Sequence, residues 1–314
     1  MEAIVIGTGS IGKRYIQAIK NNEKKVPIYL YDKDKSNMEK TDKFLDKLSL
    51  DKEFEKINSY NSAIEKINKK SIVIISTTAR NRYKIVLDVL KKEPKNLIIE
   101  KPVTQTIYEY RRILEESEKV KTKCNVNYYL RCQPFTNEIE KEIDKSSKIN
   151  MDVRLPGNGI ACNGIHFIDM FMYITERQEY YLGDYKMDNI YEQKREGYWD
   201  VSGWIEVVSS NGDKCRIYNG KEYSEQIVAV NSKKGTVTLY EDRDKASIFT
   251  REREEIRNID SLYASEYLVS ELKKCIKKDN ASKSCLTSIT EALKSHRILF
   301  EFLRSAGCSG INIT

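Results

Sequence analysis

The sequence predicts an α/β protein: an N-terminal doubly wound parallel sheet, then a C-terminal α+β domain with a mainly antiparallel open sheet. Three observations predict it. First, Met1–Tyr15 reads MEAIVIGTGSIGKRY, a short apolar run followed by a GxGxxG turn, Gly7-Thr8-Gly9-Ser10-Ile11-Gly12, and then Ile11, Tyr15, Ala18 and Ile19 at helical spacing. Second, apolar strand-like runs and amphipathic helix-like runs alternate up to about residue 125. Third, the texture changes from about residue 149 to successive strands, with Asn211-Gly212 as a hairpin turn.

The glycine turn sits where a dinucleotide-binding Rossmann domain needs it. The first glycine makes the tight turn, the second lets backbone approach a pyrophosphate, and the third lets helix and strand pack closely. The helix start then offers N–H groups and a positive dipole end to phosphate, which points to Gly7, Gly9, Ser10, Ile11 and Gly12 as cofactor contacts. A second strand, Val26–Tyr31, ends at Asp32, about 20 residues beyond the last glycine, where a carboxylate accepts from ribose hydroxyls and repels a 2′-phosphate. NAD is therefore expected over NADP. The run SIVIIS, Ser71–Ser76, reads as a strand buried on both faces and stops at Thr77-Thr78. A helix carrying Ile85, Val86, Val89 and Leu90 follows, then a strand at Asn96–Ile99 that runs into Glu100-Lys101-Pro102. Thr106 and Glu109 form a capping box, and a last strand, Cys124–Tyr128, leads to Leu130-Arg131. Ligands of such sheets bind beyond the carboxyl ends of the strands, so Thr77, Thr78, Glu100 and Lys101 join the cofactor set.

Beyond residue 149, a loop with Gly157, Gly159 and Gly164 precedes a helix, Ile165–Ile174. Strands are expected at Tyr180–Tyr191, Trp199–Ser209, Lys214–Tyr218, Gln226–Asn231 and Thr236–Tyr240, and closing helices at Leu262–Lys277 and Ser288–Arg304. The 314 residues divide at about 123, into a nucleotide domain, 1–123, and a substrate and oligomerisation domain, 124–314.

The net charge of +7 does not point to nucleic acid, because lysines are interspersed with acids, as in Asp32-Lys33-Asp34-Lys35. The seven cysteines form no CxxC pair and their count is odd, so reduced thiols are expected. With no leader-like or membrane-spanning apolar run, a cytoplasmic protein is expected, with no membrane partner. Two histidines, His166 and His296, are too few for a His-rich metal site, and no metal is expected.

GTGSIGKRY, STT after the SIVIIS strand, IIEKPVTQT and GIHFID occur in that order, and in this the chain resembles the glucose–fructose oxidoreductase / inositol dehydrogenase / MocA (Gfo/Idh/MocA) family over essentially its whole length. The resemblance implies an NAD(P)-dependent oxidoreductase acting on sugars, nucleotide sugars or cyclitols. It also implies Lys101 and His166 flanking the reacting carbon, a cis Lys101–Pro102 bond, a closing helix packed back near the nucleotide domain, and a homodimer or homotetramer. The sequence departs from the family pattern at Cys162, where an aspartate is usual, at Thr78 and Arg82, where proline and histidine are usual, and at Tyr15, where histidine is usual.

Oxidising an alcohol requires a group that accepts the hydroxyl proton. Lys101 in its neutral form is that base, and in its charged form it polarises a carbonyl in the reverse direction. His166 carries or relays the proton, since histidine exchanges protons near neutrality. Arg131 and Asn163, with Cys162 beside them, are candidate substrate contacts: guanidinium suits carboxylate or phosphate, and amide suits hydroxyls. His296 reads as structural. The alternative is an NAD-bound sensor without activity on the same fold, which the loss of a carboxylate at Cys162 favours.

Overall fold

The structure is a computed structural model that describes residues 1–21, 26–47, 54–240, 244–250, 252–277, 284–308 and 310–313. It divides into two units, Met1–Asn127 with Tyr263–Thr290, and Tyr128–Leu262 with Glu291–Thr314.

In the first unit the strands are β1 (Ala3–Ile6), β2 (Ile28–Tyr31), β3 (Phe54–Lys56), β4 (Ile72–Ile75), β5 (Asn96–Glu100) and β6 (Lys123–Asn127). Between them lie α1 (Ser10–Lys20), α2 (Lys35–Lys47), α3 (Tyr60–Lys66), α4 (Arg82–Leu90) and α5 (Ile107–Glu118). Every residue of β1, β4 and β5 is buried, as continuous apolar runs sandwiched between helix layers must be. The sheet order is 6-5-4-1-2-3 among these six, all parallel, so the order reverses between β1 and β4. That reversal opens a crevice at the carboxyl ends of the strands. The register aligns those ends: Ile6 pairs Ile75, Ile75 pairs Ile99, and Glu100 pairs Asn127. Thr106 caps α5 by accepting from Glu109 N, as its capping box requires. The second strand begins at Ile28, not Val26, and Pro27, which has no N–H to give, contributes only its carbonyl to Ala3 N.

The second unit holds α6 (Pro134–Glu142), β7 (Asn150–Pro156), α7 (Ile165–Thr175), β8 (Tyr180–Glu192), β9 (Trp199–Ser209), β10 (Lys214–Gly220), β11 (Ile227–Ser232), β12 (Gly235–Tyr240), β13 (Lys245–Thr250) and β14 (Glu254–Asn258). Its sheet runs 14-13-12-11-7-10-9-8, antiparallel except for the β7–β10 pair. The sequence reading missed β7, the strand at the centre of this order. Met151, Val153 and Leu155 are buried there, but Asp152 and Arg154 alternate with them on the open face and dilute the apolar signal. It also missed β13 and β14, whose polar positions dilute the signal in the same way. Asn211-Gly212 does lie between two paired strands, β9 and β10, with Gly212 at φ +79°.

The chain closes with α8 (Ala264–Lys277), β15 (Thr287–Ser288) and α9 (Ile289–Ser305). Within the first unit β15 adds an antiparallel edge to β6. Cys124, Cys215, Cys275 and Cys308 are free thiols, whereas Cys132 and Cys285 are half-cystines, which corrects the expectation of reduced thiols for those two.

Candidate active site

At the carboxyl ends of the first unit's strands, backbone geometry makes the site. Gly7 takes φ +98°, and a Cβ there would stand 2.6 Å from Thr77 N. A Cβ on Gly12 would stand 2.2 Å from Gly7 O, so this glycine lets α1 press against the turn. Gly9 differs. It is the N-cap of α1, gives no side-chain cap, and a Cβ on it would meet nothing within 4 Å. The first turn of α1, starting at Ser10 and Ile11, also has no acidic residue. The helix therefore presents uncapped N–H groups toward open space, the arrangement that holds phosphate.

Thr77 adds a second sign of a missing partner. Its Oγ1 is buried with no hydrogen-bond partner among the described residues. A buried hydroxyl left in that state is costly unless a ligand group completes it. Thr78 follows, half-buried, as the N-cap of the short turn before α4. Asp32, also half-buried, accepts from Thr8 N at 2.8 Å and from Asn37 Nδ2 at 3.3 Å through Oδ2, and from Asp34 N at 2.9 Å through Oδ1. Its carboxylate thus orients the glycine turn and keeps acceptor capacity on Oδ1 for a hydroxyl. These residues fit a dinucleotide.

Glu100 is buried, and its Oε1 accepts from Tyr15 Oη and from Asn127 Nδ2, both at 2.8 Å. Asn127 also meets Tyr267 Oη at 3.2 Å. Burial first, and the Glu100 charge next, push the Tyr15 phenol well above its ordinary pKa, so it stays a donor. Lys101 follows directly, half-exposed, with a cis bond to Pro102 as the family resemblance implied. Arg82, the first residue of α4, reaches back and donates to the carbonyls of Thr77, Glu100 and Pro102.

In the second unit side chains do the fixing. The buried guanidinium of Arg131 donates to both oxygens of Asp169, with Nη2–Oδ1 at 2.8 Å, and to Glu291 at 2.9 Å. Burial works against its charge, but the two carboxylates outweigh that and raise its pKa. The aspartate of GIHFID is thereby an anchor for α7. His166, in the first turn of that helix, is buried, with its ring 4.7 Å from that of Tyr129 and 5.9 Å from that of Tyr128, both edge-on. Cys162 and Asn163, both half-buried, lie on a π-helical turn, Ile160–Gly164, just before α7.

Asp200, on β9, holds that turn. Its Oδ1 accepts from Ala161 N at 2.8 Å, and its Oδ2 from Cys162 N at 3.1 Å and Gln193 Nε2 at 2.7 Å. Burial raises its pKa against the pull of these donors. A Cβ on Gly159 would collide with this carboxylate at 1.9 Å, so the glycine is required. No sequence signal marks Asp200, because the turn it holds lies 38 and 39 residues away. His296 is buried with Nδ1 2.8 Å from Ala292 O and 3.0 Å from Tyr128 Oη. Among the described residues no cluster of three or more His, Cys, Asp or Glu is placed to hold a metal, and no helix is long and apolar enough to cross a membrane.

Residues 1–128 match the Gfo/Idh/MocA family, described as an oxidoreductase family with an NAD-binding Rossmann fold. No curated protein matches the sequence. Among solved structures, an oxidoreductase from Agrobacterium radiobacter in complex with NAD+, L-tartaric acid and magnesium is similar at a TM-score of 0.79 and 13% identity, over 99% of this chain and 97% of that one. Biliverdin reductase from Synechocystis sp. PCC 6803, with biliverdin and NADP+, is similar at 0.76 and 13%, over 98% and 99%. UDP-N-acetylglucosamine 3-dehydrogenase from Acidithiobacillus ferrooxidans is similar at 0.73 and 12%, over 98% and 97%. At these identities the likeness is one of fold.

Proposed function

We propose that the protein, whose residues 1–128 match the Gfo/Idh/MocA oxidoreductase family, exchanges a hydride between NAD(H) and a secondary alcohol or ketone of a sugar, nucleotide sugar or cyclitol. One observation carries the reading. A reactive-type side chain, Lys101, follows a strand whose last residue and whose flanking carbonyls are all held by buried side chains, beside a glycine turn shaped for a dinucleotide. Such rigidity suits a group whose position sets a rate.

In this reading Gly7, Gly9, Gly12 and the N–H groups of Ser10 and Ile11 bind the diphosphate. Thr77 Oγ1 gives its unused hydrogen bond to the cofactor, and Asp32 takes a ribose hydroxyl and selects NAD over NADP. Glu100 shapes the pocket by its hydrogen bonds, not by direct contact. The bound nicotinamide supplies the hydride chemistry. Lys101 accepts the hydroxyl proton during oxidation and returns it during reduction. His166 is the second proton carrier, kept from bulk water by burial against Tyr128 and Tyr129. Asn163 and Cys162 contact substrate, while Arg131 acts through α7, since Asp169 and Glu291 occupy its guanidinium. We further propose a cytoplasmic homodimer or homotetramer that pairs through the open sheet face, where Phe249 and Ile256 are 60% and 72% exposed.

The second reading is an NAD-bound sensor, favoured by a thiol at Cys162 in place of a carboxylate. The test screens sugars, nucleotide sugars and cyclitols with NAD, and their keto forms with NADH, at the reduced-nicotinamide absorbance band. Turnover of any of them supports the enzyme. Cofactor binding with no turnover supports the sensor.

A further inference from the structure

We infer that Arg82 is the positioning residue of Lys101, an inference that rests on the role proposed for that lysine. Arg82 is 2% exposed and opens α4. Side chains on a helix lean toward its N-terminus, so a residue at the first position points back at the strand ends it has just left. There its Nη1 donates to Glu100 O and to Pro102 O, and its Nη2 to Thr77 O. The first two carbonyls lie on either side of Lys101, and the third belongs to the threonine with the unused buried hydroxyl. One guanidinium thus ties the end of β4 to both backbone neighbours of the lysine.

The choice of residue is informative. A cation at the first position of a helix works against the helix dipole, and burying one is costly. Only a planar fork with five N–H groups reaches three carbonyls on two segments at once; an ammonium is a point charge on a flexible stem. The unfavourable site and the matching geometry together point to a function in fixing the backbone of Lys101. From the other side, Tyr15 and Asn127 hold Glu100, the residue before it. The backbone on both sides of Lys101 is thus held by buried side chains.

The experiment uses the full chain carrying Arg82→Gln and, separately, Arg82→Lys. NADH affinity is read by fluorescence. Lys101 is labelled with pyridoxal 5′-phosphate and borohydride and quantified by mass spectrometry against the surface lysines. Both variants are expected to bind NADH within about threefold of the parent, while Lys101 labelling shifts by about fivefold or more and that of other lysines does not. With a substrate from the screen, kcat is expected to fall about 100-fold with KM within about threefold, as for a reacting group displaced by about 1 Å. Arg82→Lys is expected not to restore kcat, and it decides the question if Arg82→Gln does not fold. Unchanged Lys101 labelling in both variants, an unchanged kcat, or loss of NADH binding together with labelling at every lysine would overturn the inference. If the parent turns over nothing in the screen, the proposed activity fails, and the labelling arm still decides the role of Arg82.

Discussion

The glycine turn of the first unit and the π-helical turn of the second both carry candidate site residues, but they are held by different forces. Around Gly7 and Gly12 the shape comes from absent side chains: a Cβ would meet backbone at 2.6 Å in one case and 2.2 Å in the other. Around Cys162 and His166 the shape comes from charges brought from afar, with Asp200 on two backbone N–H groups and Asp169 on Arg131. The first arrangement is local in sequence and tolerates no added atom. The second is assembled over long separations and tolerates no lost charge. Errors in the two should therefore show up differently, as steric exclusion in one and as an uncompensated buried ion in the other.

The largest effect is expected in the second unit. Asp169→Asn leaves Arg131 buried with one carboxylate, and should destabilise the protein by about 3–5 kcal/mol, read by denaturant unfolding. A loss below about 1 kcal/mol would mean that the pair is solvated and α7 is held by packing alone. Next comes Gly12→Ala. Its methyl group must displace Gly7 O, at a cost of about 1–3 kcal/mol, with NADH binding lost alongside. Gly9→Ala is the sharpening contrast, because its methyl group meets no protein atom. Stability should be unchanged within about 0.5 kcal/mol, and NADH affinity should fall about tenfold, equal to about 1.4 kcal/mol. If Gly9→Ala binds NADH like the parent, the open space beside α1 is not where the diphosphate lies.

This contrast explains what was legible in the sequence. The parallel sheet, the glycine turn, Asp32 and the EKP loop could be read because each is a run of adjacent residues with one physical cause: burial on both faces, a positive φ, or a strand end. The aspartate of GIHFID was readable as part of a motif but not as the partner of Arg131, 38 residues away. Arg82 stood out only as a departure from the family pattern, and its three carbonyl partners were invisible because backbone acceptors leave no trace in residue identity. Asp200 was silent in the same way, because the backbone N–H groups that donate to it leave no trace in residue identity either. The strand β7 escaped because its charged face alternates with its buried one.

In the proposed mechanism Lys101 moves the proton, while the glycine turn, Asp32 and Thr77 hold the cofactor. Lys101→Met tests it most directly, with NADH affinity and turnover of a substrate from the screen measured on one preparation. The account predicts NADH affinity within about threefold of the parent and turnover reduced by about 10²–10⁴-fold or more, the contribution expected of a positioned acid–base group. Turnover retained within about threefold would contradict it.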